Sequence, residues 1–247
     1  MQKLNKQERT ESYHGYNFPA PEYQVGFINH KSGKYVIEIN APIEDVAQFS
    51  TAIQILSHAE EDDEIEIHLQ TPGGDVDATG AFLHALRKCS APIHIIASGG
   101  VHSCGTHILL EADSFELAEN FNSLIHNGSA GAGGNINEYH AKSDFDKAFI
   151  RKLYAGIYEG FLTNEEFNDM MRGDNIWLDA AQWHDRAVAR MDYFKAKYEK
   201  FEEDQAQAVA AEIAKREAED NVVVKTPKRK PLKLSTKEVA PKAPPVV

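Results

Sequence analysis

Two periods alternate along the middle of this chain. Tyr35-Val36-Ile37-Glu38-Ile39 is a short β-rich run, and after Pro42 the apolar residues Val46, Phe49, Ile53 and Leu56 recur at helical spacing. Ile65, Ile67 and Leu69 then alternate as a strand that stops at Thr71-Pro72-Gly73-Gly74, and Val76, Phe82, Leu83 and Leu86 follow at helical spacing. A third strand, Ile93-His94-Ile95-Ile96-Ala97, is predicted to end at Gly99-Gly100. Beyond it come a helix beginning near Ser103 and two short strands around Phe115-Leu117 and Ser123-Ile125. The glycine-rich segment from Gly128 to Gly134 leads into a long helix with Phe145, Phe149, Leu153 and Ile157 on one face. Thr163 and Glu166 stand three apart, as a capping box requires to open another helix. Strands alternating with helices predict an α/β fold with right-handed crossovers.

The ends differ from this core. Residues 1–34 are polar and interrupted by Pro19 and Pro21, and read as an extension. The core spans 35–192. Residues 193–221 are rich in Ala, Glu and Lys and predict a charged, solvated helix, while 222–247 is a Pro/Lys-rich tail expected to be disordered. Charge follows the same division. The net charge is -12, yet the tail carries seven Lys/Arg against Glu238 alone, about +6, which leaves about -18 on the rest.

An acidic body excludes nucleic acid as the main partner, because phosphate binding needs a basic footprint. Cys89 and Cys104 make no disulfide framework, the N-terminus lacks an apolar leader, and no run approaches the ~18 apolar residues of a membrane span. These features point to a cytoplasmic location. His94, His102, His107 and His140 lack the spacing of a helical zinc site, and no phosphate-binding Gly-Lys-Ser/Thr loop is present, so neither a metal nor any other cofactor is expected.

Two glycine-bearing turns carry the candidate chemistry. Gly73-Gly74 directly follows a strand, where the absence of side chains lets backbone amides be aimed at an anion. In Gly99-Gly100-Val101-His102-Ser103-Cys104-Gly105 a hydroxyl is placed at a helix N-terminus, where free amides and the macrodipole favour developing negative charge. Ser103 fits a nucleophile there, although a lone serine at such a turn is more often a helix N-cap. Val101 occupies the first glycine position of the Gly-x-Ser-x-Gly elbow, so that motif is not met. Asp75 reads as an N-cap, and His102 as a side chain facing solvent.

In order along the chain, Thr71-Pro72-Gly73-Gly74-Asp75, Ser103-Cys104-Gly105, Leu124-Ile125-His126 and Asp174-Asn175 resemble the signature blocks of the Clp protease proteolytic subunit (ClpP) family of serine peptidases. Ile39-Asn40-Ala41-Pro42-Ile43-Glu44-Asp45 resembles the family's opening block, and the spacings agree: 29 residues from Gly74 to Ser103, 23 to His126 and 48 more to Asp174. The resemblance implies a ClpP/crotonase-like fold of repeated β-β-α units with a handle helix. It implies a triad of Ser103 as nucleophile, His126 as base and Asp174 as its orienting carboxylate, with the amides of Gly74 and Cys104 as oxyanion hole. It further implies polypeptide substrates and a homo-oligomer of two stacked seven-subunit rings. An AAA+ unfoldase is the expected partner, or capsid and scaffold proteins if the chain serves as a bacteriophage head-maturation protease. A catalytically silent ring subunit and a crotonase-type acyl-CoA enzyme are the rivals; neither needs a complete Ser, His, Asp set.

Overall fold

The computed structural model describes residues 10–13, 16–19, 25–28, 33–129, 131 and 135–223. The chain divides into two compact units, Met1–Phe194 and Lys195–Val247. In the first unit, β1 (Thr10–Tyr13) and β2 (Tyr16–Pro19) form a small antiparallel ribbon. A seven-stranded sheet is built from β3 (Val25–Ile28), β4 (Lys34–Ile39), β5 (Glu64–Thr71), β6 (Ile93–His102), β7 (Ser114–Leu117), β8 (Asn122–Ile125) and β9 (Ile176–Asp179). Its order is β3-β4-β5-β6-β8-β9, with β7 pairing the first half of β6 and β8 the second. The central strands are parallel, and β3 and β9 run antiparallel at the edges.

Parallel strands require crossovers. These are α1 (Ser50–Leu56, preceded by a 3-10 turn over Val46–Phe49), α2 (Val76–Lys88) and α3 (Cys104–Leu109). Odd-numbered residues of the strands face the helices: Ile37 and Ile39, Ile65, Ile67 and Leu69, then Ile93, Ile95 and Ala97 are all buried. Phe49 and Phe82 stack at 4.4 Å between the 3-10 turn and α2. On the other face, two carboxylates hold His68, with Glu38 at 2.6 Å from Nδ1 and Glu66 at 2.9 Å from Nε2.

After β8 come α4 (Ile136–Ile157), α5 (Asn164–Arg172) and α6 (Ala180–Val223). The Thr163/Glu166 capping box opens α5 as the spacing predicts, and Gly173 closes it at φ 119. Glu166 also takes a two-pronged bond from Arg186 on α6, at 2.6 and 3.0 Å, and this guanidinium pushes its carboxyl down to about 2. Such bidentate pairs fix direction as well as distance, so the first turn of α5 is tied to α6, and the chain reaches Asp174 from the helix's other end.

Several expectations shift. The main sheet begins at Val25, inside the segment read as an extension, because that short run finds an antiparallel partner in β4. Val46, placed on an apolar helix face, is 47% exposed. On α4 the expected apolar face divides: Ile157 is buried and Leu153 packs on the core, whereas Phe145 and Phe149 lie exposed and stacked at 5.8 Å. In the second unit, the described residues are helical, with Tyr198, Phe201, Val209 and Ile213 exposed. The tail expected to be disordered from 222 is still helical through Val223, where α6 ends; the rest of it, and part of the Gly128 to Gly134 segment, lie outside the described residues.

Candidate active site

β6 does not end at Gly99-Gly100; it runs on to His102 and delivers the chain directly into α3. The join is Ser103, at φ 53 and ψ -124, the sole non-glycine residue with positive φ among the described residues. Holding a side chain in that region costs roughly 1 to 3 kcal/mol, and such strain gathers at functional turns. Ser103 occupies the N-cap position, but its side chain makes no capping hydrogen bond. Its N–H is anchored instead, donating to the Leu124 carbonyl at 2.8 Å.

The Gly73-Gly74 turn lies directly against this corner. A Cβ on Gly73 would sit 2.6 Å from Ser103 Cβ and 2.9 Å from Cys104 N. Thr71 braces the turn, its Oγ1 accepting the Gly73 N–H at 3.1 Å and donating to the Ala41 carbonyl at 2.7 Å. Ile43 donates to the Gly73 carbonyl and accepts from Asp75 N–H, so the bridge between the two segments leaves the Gly74 N–H unused. Cys104 opens α3, and a first-turn N–H has no intrahelical acceptor. Two uncommitted amides therefore stand beside the serine. Asp75 accepts the Ala78 N–H at 2.7 Å and caps α2, as its position suggests. Asp75→Ala is expected to cost about 1 kcal/mol of stability in a denaturant titration, the usual loss for a cap.

His126 follows the last residue of β8, and Asp174 stands two residues before β9. Ile125 pairs with Ile176, and Asn127 Nδ2 donates to the Met171 carbonyl at 3.5 Å, so the two segments run side by side. Ser103, His126 and Asp174 are not hydrogen-bonded to one another. Burial first, and the nearby His102 second, hold the His126 imidazole below its ordinary pKa. Both effects favour the neutral imidazole.

His102 is not simply solvent-facing. Its Nε2 bonds Asn122 Oδ1 at 2.9 Å and its ring meets Trp177 edge-on at 5.5 Å. The two glycines inside β6 make room for neighbouring side chains: a Cβ on Gly100 would lie 2.9 Å from the His102 ring, and one on Gly99 3.0 Å from Gln70. An open groove of about 260 Å³ lies against His102, lined also by Asn40, Pro42, Gln70, Pro72 and Gly100 among others.

Sequence reasoning missed the layer under Ser103. Thr106 and His107 are buried on α3 against Tyr154 and Tyr158, and Thr106 Oγ1 lies 2.8 Å from the Tyr158 hydroxyl. The available signal was two polar residues inside an otherwise apolar six-residue helix, Cys104-Gly105-Thr106-His107-Ile108-Leu109. Among the described residues, no group of three His, Cys, Asp or Glu could hold a metal, and no helix is long and apolar enough to cross a membrane.

A strained serine between a strand and a helix, beside a glycine turn, is an arrangement suited to acyl transfer. The chain belongs to the Clp protease family, whose model matches residues 29–158. It is 32% identical over 127 residues to the ATP-dependent Clp protease proteolytic subunit of Deinococcus radiodurans, covering 50% of this chain and 62% of that protein. It is 33% identical over 125 residues to the ATP-dependent Clp protease proteolytic subunit 2 of Treponema pallidum, covering 48% and 60%. The chain thus spans about three fifths of the length of these relatives. The mostly parallel sheet with crossover helices is consistent with the family's fold. Gly74, Ser103, Cys104 and His126 fall within the matched residues, and Asp174 lies beyond them.

Proposed function

We propose that this chain is a serine endopeptidase that hydrolyses polypeptides through an acyl-enzyme. Ser103 Oγ attacks the scissile carbonyl as His126 takes its proton. The C–N bond then breaks and His126 returns the proton to the leaving amine. Water, activated by the same imidazole, releases the acid and restores the serine. Asp174 orients His126 and stabilises the imidazolium, and the Gly74 and Cys104 amides receive the oxyanion. One observation carries the reading: Ser103 is held at positive φ against a glycine turn whose Gly74 N–H is left outside the surrounding hydrogen bonds. Catalytic hydrogen bonds are often long before substrate binds and tighten in the complex, so their absence here is compatible with the roles assigned.

Assembly with other copies of the chain belongs to the same proposal. Ile136, Tyr139, Phe145 and Phe149 on α4 are 43 to 75% exposed, with Phe145 and Phe149 stacked as a pair, and an exposed aromatic pair favours burial against a partner. The experiment is one measurement in two parts. The full chain is treated with a fluorophosphonate probe, the modified residue is mapped by peptide mass spectrometry, and the native mass is recorded. Labelling confined to Ser103 in a multimer is the expected result. No labelling of Ser103 overturns the peptidase reading, and a monomer at micromolar concentration overturns the assembly.

A further inference from the structure

We infer that Tyr158 and Thr106 form a buried relay that aims the Cys104 N–H into the site, and so act as positioning residues for the reaction proposed above, on which this inference rests. Thr106 Oγ1 donates to the Ser103 carbonyl at 2.7 Å, and the Thr106 N–H donates to the same oxygen at 2.9 Å. A threonine hydroxyl has one hydrogen, already used, so the 2.8 Å contact with Tyr158 is a bond that Tyr158 donates. Thr106 is fully buried and Tyr158 2% exposed, so no solvent competes. Burial also pushes the Tyr158 hydroxyl well above its usual range, which keeps it an O–H donor.

The consequence follows from the planarity of one peptide unit. In a trans peptide the Ser103 C=O and the Cys104 N–H point in opposite directions. Two donors that fasten the carbonyl inward therefore turn the N–H outward, toward the Gly73-Gly74 turn and the serine side chain. This also explains how Ser103 is kept at ψ -124, since ψ is the rotation that the fastened carbonyl controls. The chain from Tyr158 O–H through Thr106 O–H to the carbonyl further polarises the peptide, making its N–H a better donor. The Thr106 N–H bond is one that any helix N-terminus supplies; the two hydroxyls are what this one adds, and they come by way of the residue that caps α4, fifty-two positions beyond Thr106.

The test compares Tyr158→Phe, Thr106→Val and Thr106→Ser in the full chain, with wild type as reference. The readouts are the fluorophosphonate labelling rate at Ser103, kcat and KM on a peptide ester, and inhibition by a peptide aldehyde, whose adduct carries the oxyanion. Complete loss of an oxyanion donor costs roughly 100- to 1000-fold, so misaiming one is expected to cost about 10-fold in kcat with KM unchanged. Aldehyde affinity is expected to weaken by the same factor. Thr106→Ser, which keeps the hydroxyl, restores the wild-type rate. Equal loss in Thr106→Val and Thr106→Ser, or a loss confined to KM, overturns the relay, as does a folded Tyr158→Phe with unaltered kcat. A wild type that fails to label at Ser103 removes the peptidase reading and the relay with it; a reactive wild type isolates the relay.

Discussion

Gly74→Ala is expected to leave a chain that neither labels at Ser103 nor keeps its native stability. A Cβ at position 74 would lie 1.9 Å from the Ile43 carbonyl oxygen and 2.9 Å from the Ile43 nitrogen, all backbone atoms that cannot swing aside. Gly74 also sits at φ 151, a conformation side chains rarely adopt. The bridge in which Ile43 bonds Gly73 and Asp75 must therefore open, and the Gly74 amide leaves its place beside Ser103. Backbone clash and strain of this kind cost several kcal/mol, of order 3 or more, and a lost oxyanion donor alone lowers rate roughly 100-fold or more. Denaturant unfolding and probe labelling measured on one preparation check both. A variant with native stability and native labelling would show that the turn does not need glycine here.

Acid stability is the second large effect, and its source is His107. The side chain is 1% exposed, edge-on to Tyr154 at 4.9 Å and Tyr158 at 5.4 Å, and its Nε2 has no hydrogen-bond partner. Burial, then the nearby His126 and Arg87, push its pKa down to about 3 from an ordinary 6.5. Between those values the unfolded chain binds a proton that the folded chain refuses. Stability from this residue is therefore full above pH 6.5 and falls as pH drops toward 3, by about 1.4 kcal/mol per pH unit once well below 6.5. From pH 7.5 to 5 the expected loss is about 2 kcal/mol. His107→Phe keeps the aromatic volume, removes the orphaned nitrogen, and is expected to unfold at higher denaturant and with a flatter pH dependence. Parallel pH profiles for variant and wild type would rule His107 out as the cause.

Much of the fold was readable from the chain because alternation and helical spacing are local. Ile65, Ile67 and Leu69 announce a strand with one buried face, and the Thr163/Glu166 box announces the start of α5; neither depends on distant residues. The short edges were not readable. Val25–Ile28 and Ile176–Asp179 are each four residues long and become strands only because β4 and β8 offer unpaired backbone beside them. The candidate site divides in the same way. Glycines at 73 and 74 and a serine opening a helix could be picked out from residue type and order. The exchange of the cap reading for a strained corner could not, because it is set by Leu124 and Thr106, which hold the serine's N–H and carbonyl.

The sequence by itself determined the alternation of strands and helices, the capping of α2 and α5, and the residue types at the two turns, since each depends on near neighbours. Only the tertiary structure decided that β6 passes through its glycines, that Ser103 takes positive φ, and that a threonine, a histidine and two tyrosines fill the space beneath it. The physical reason is distance along the chain. The Ser103 N–H is held by Leu124, and Thr106, which holds the carbonyl from close by, is itself bonded by Tyr158; both of these partners come from distant segments, and no local pattern encodes which will arrive.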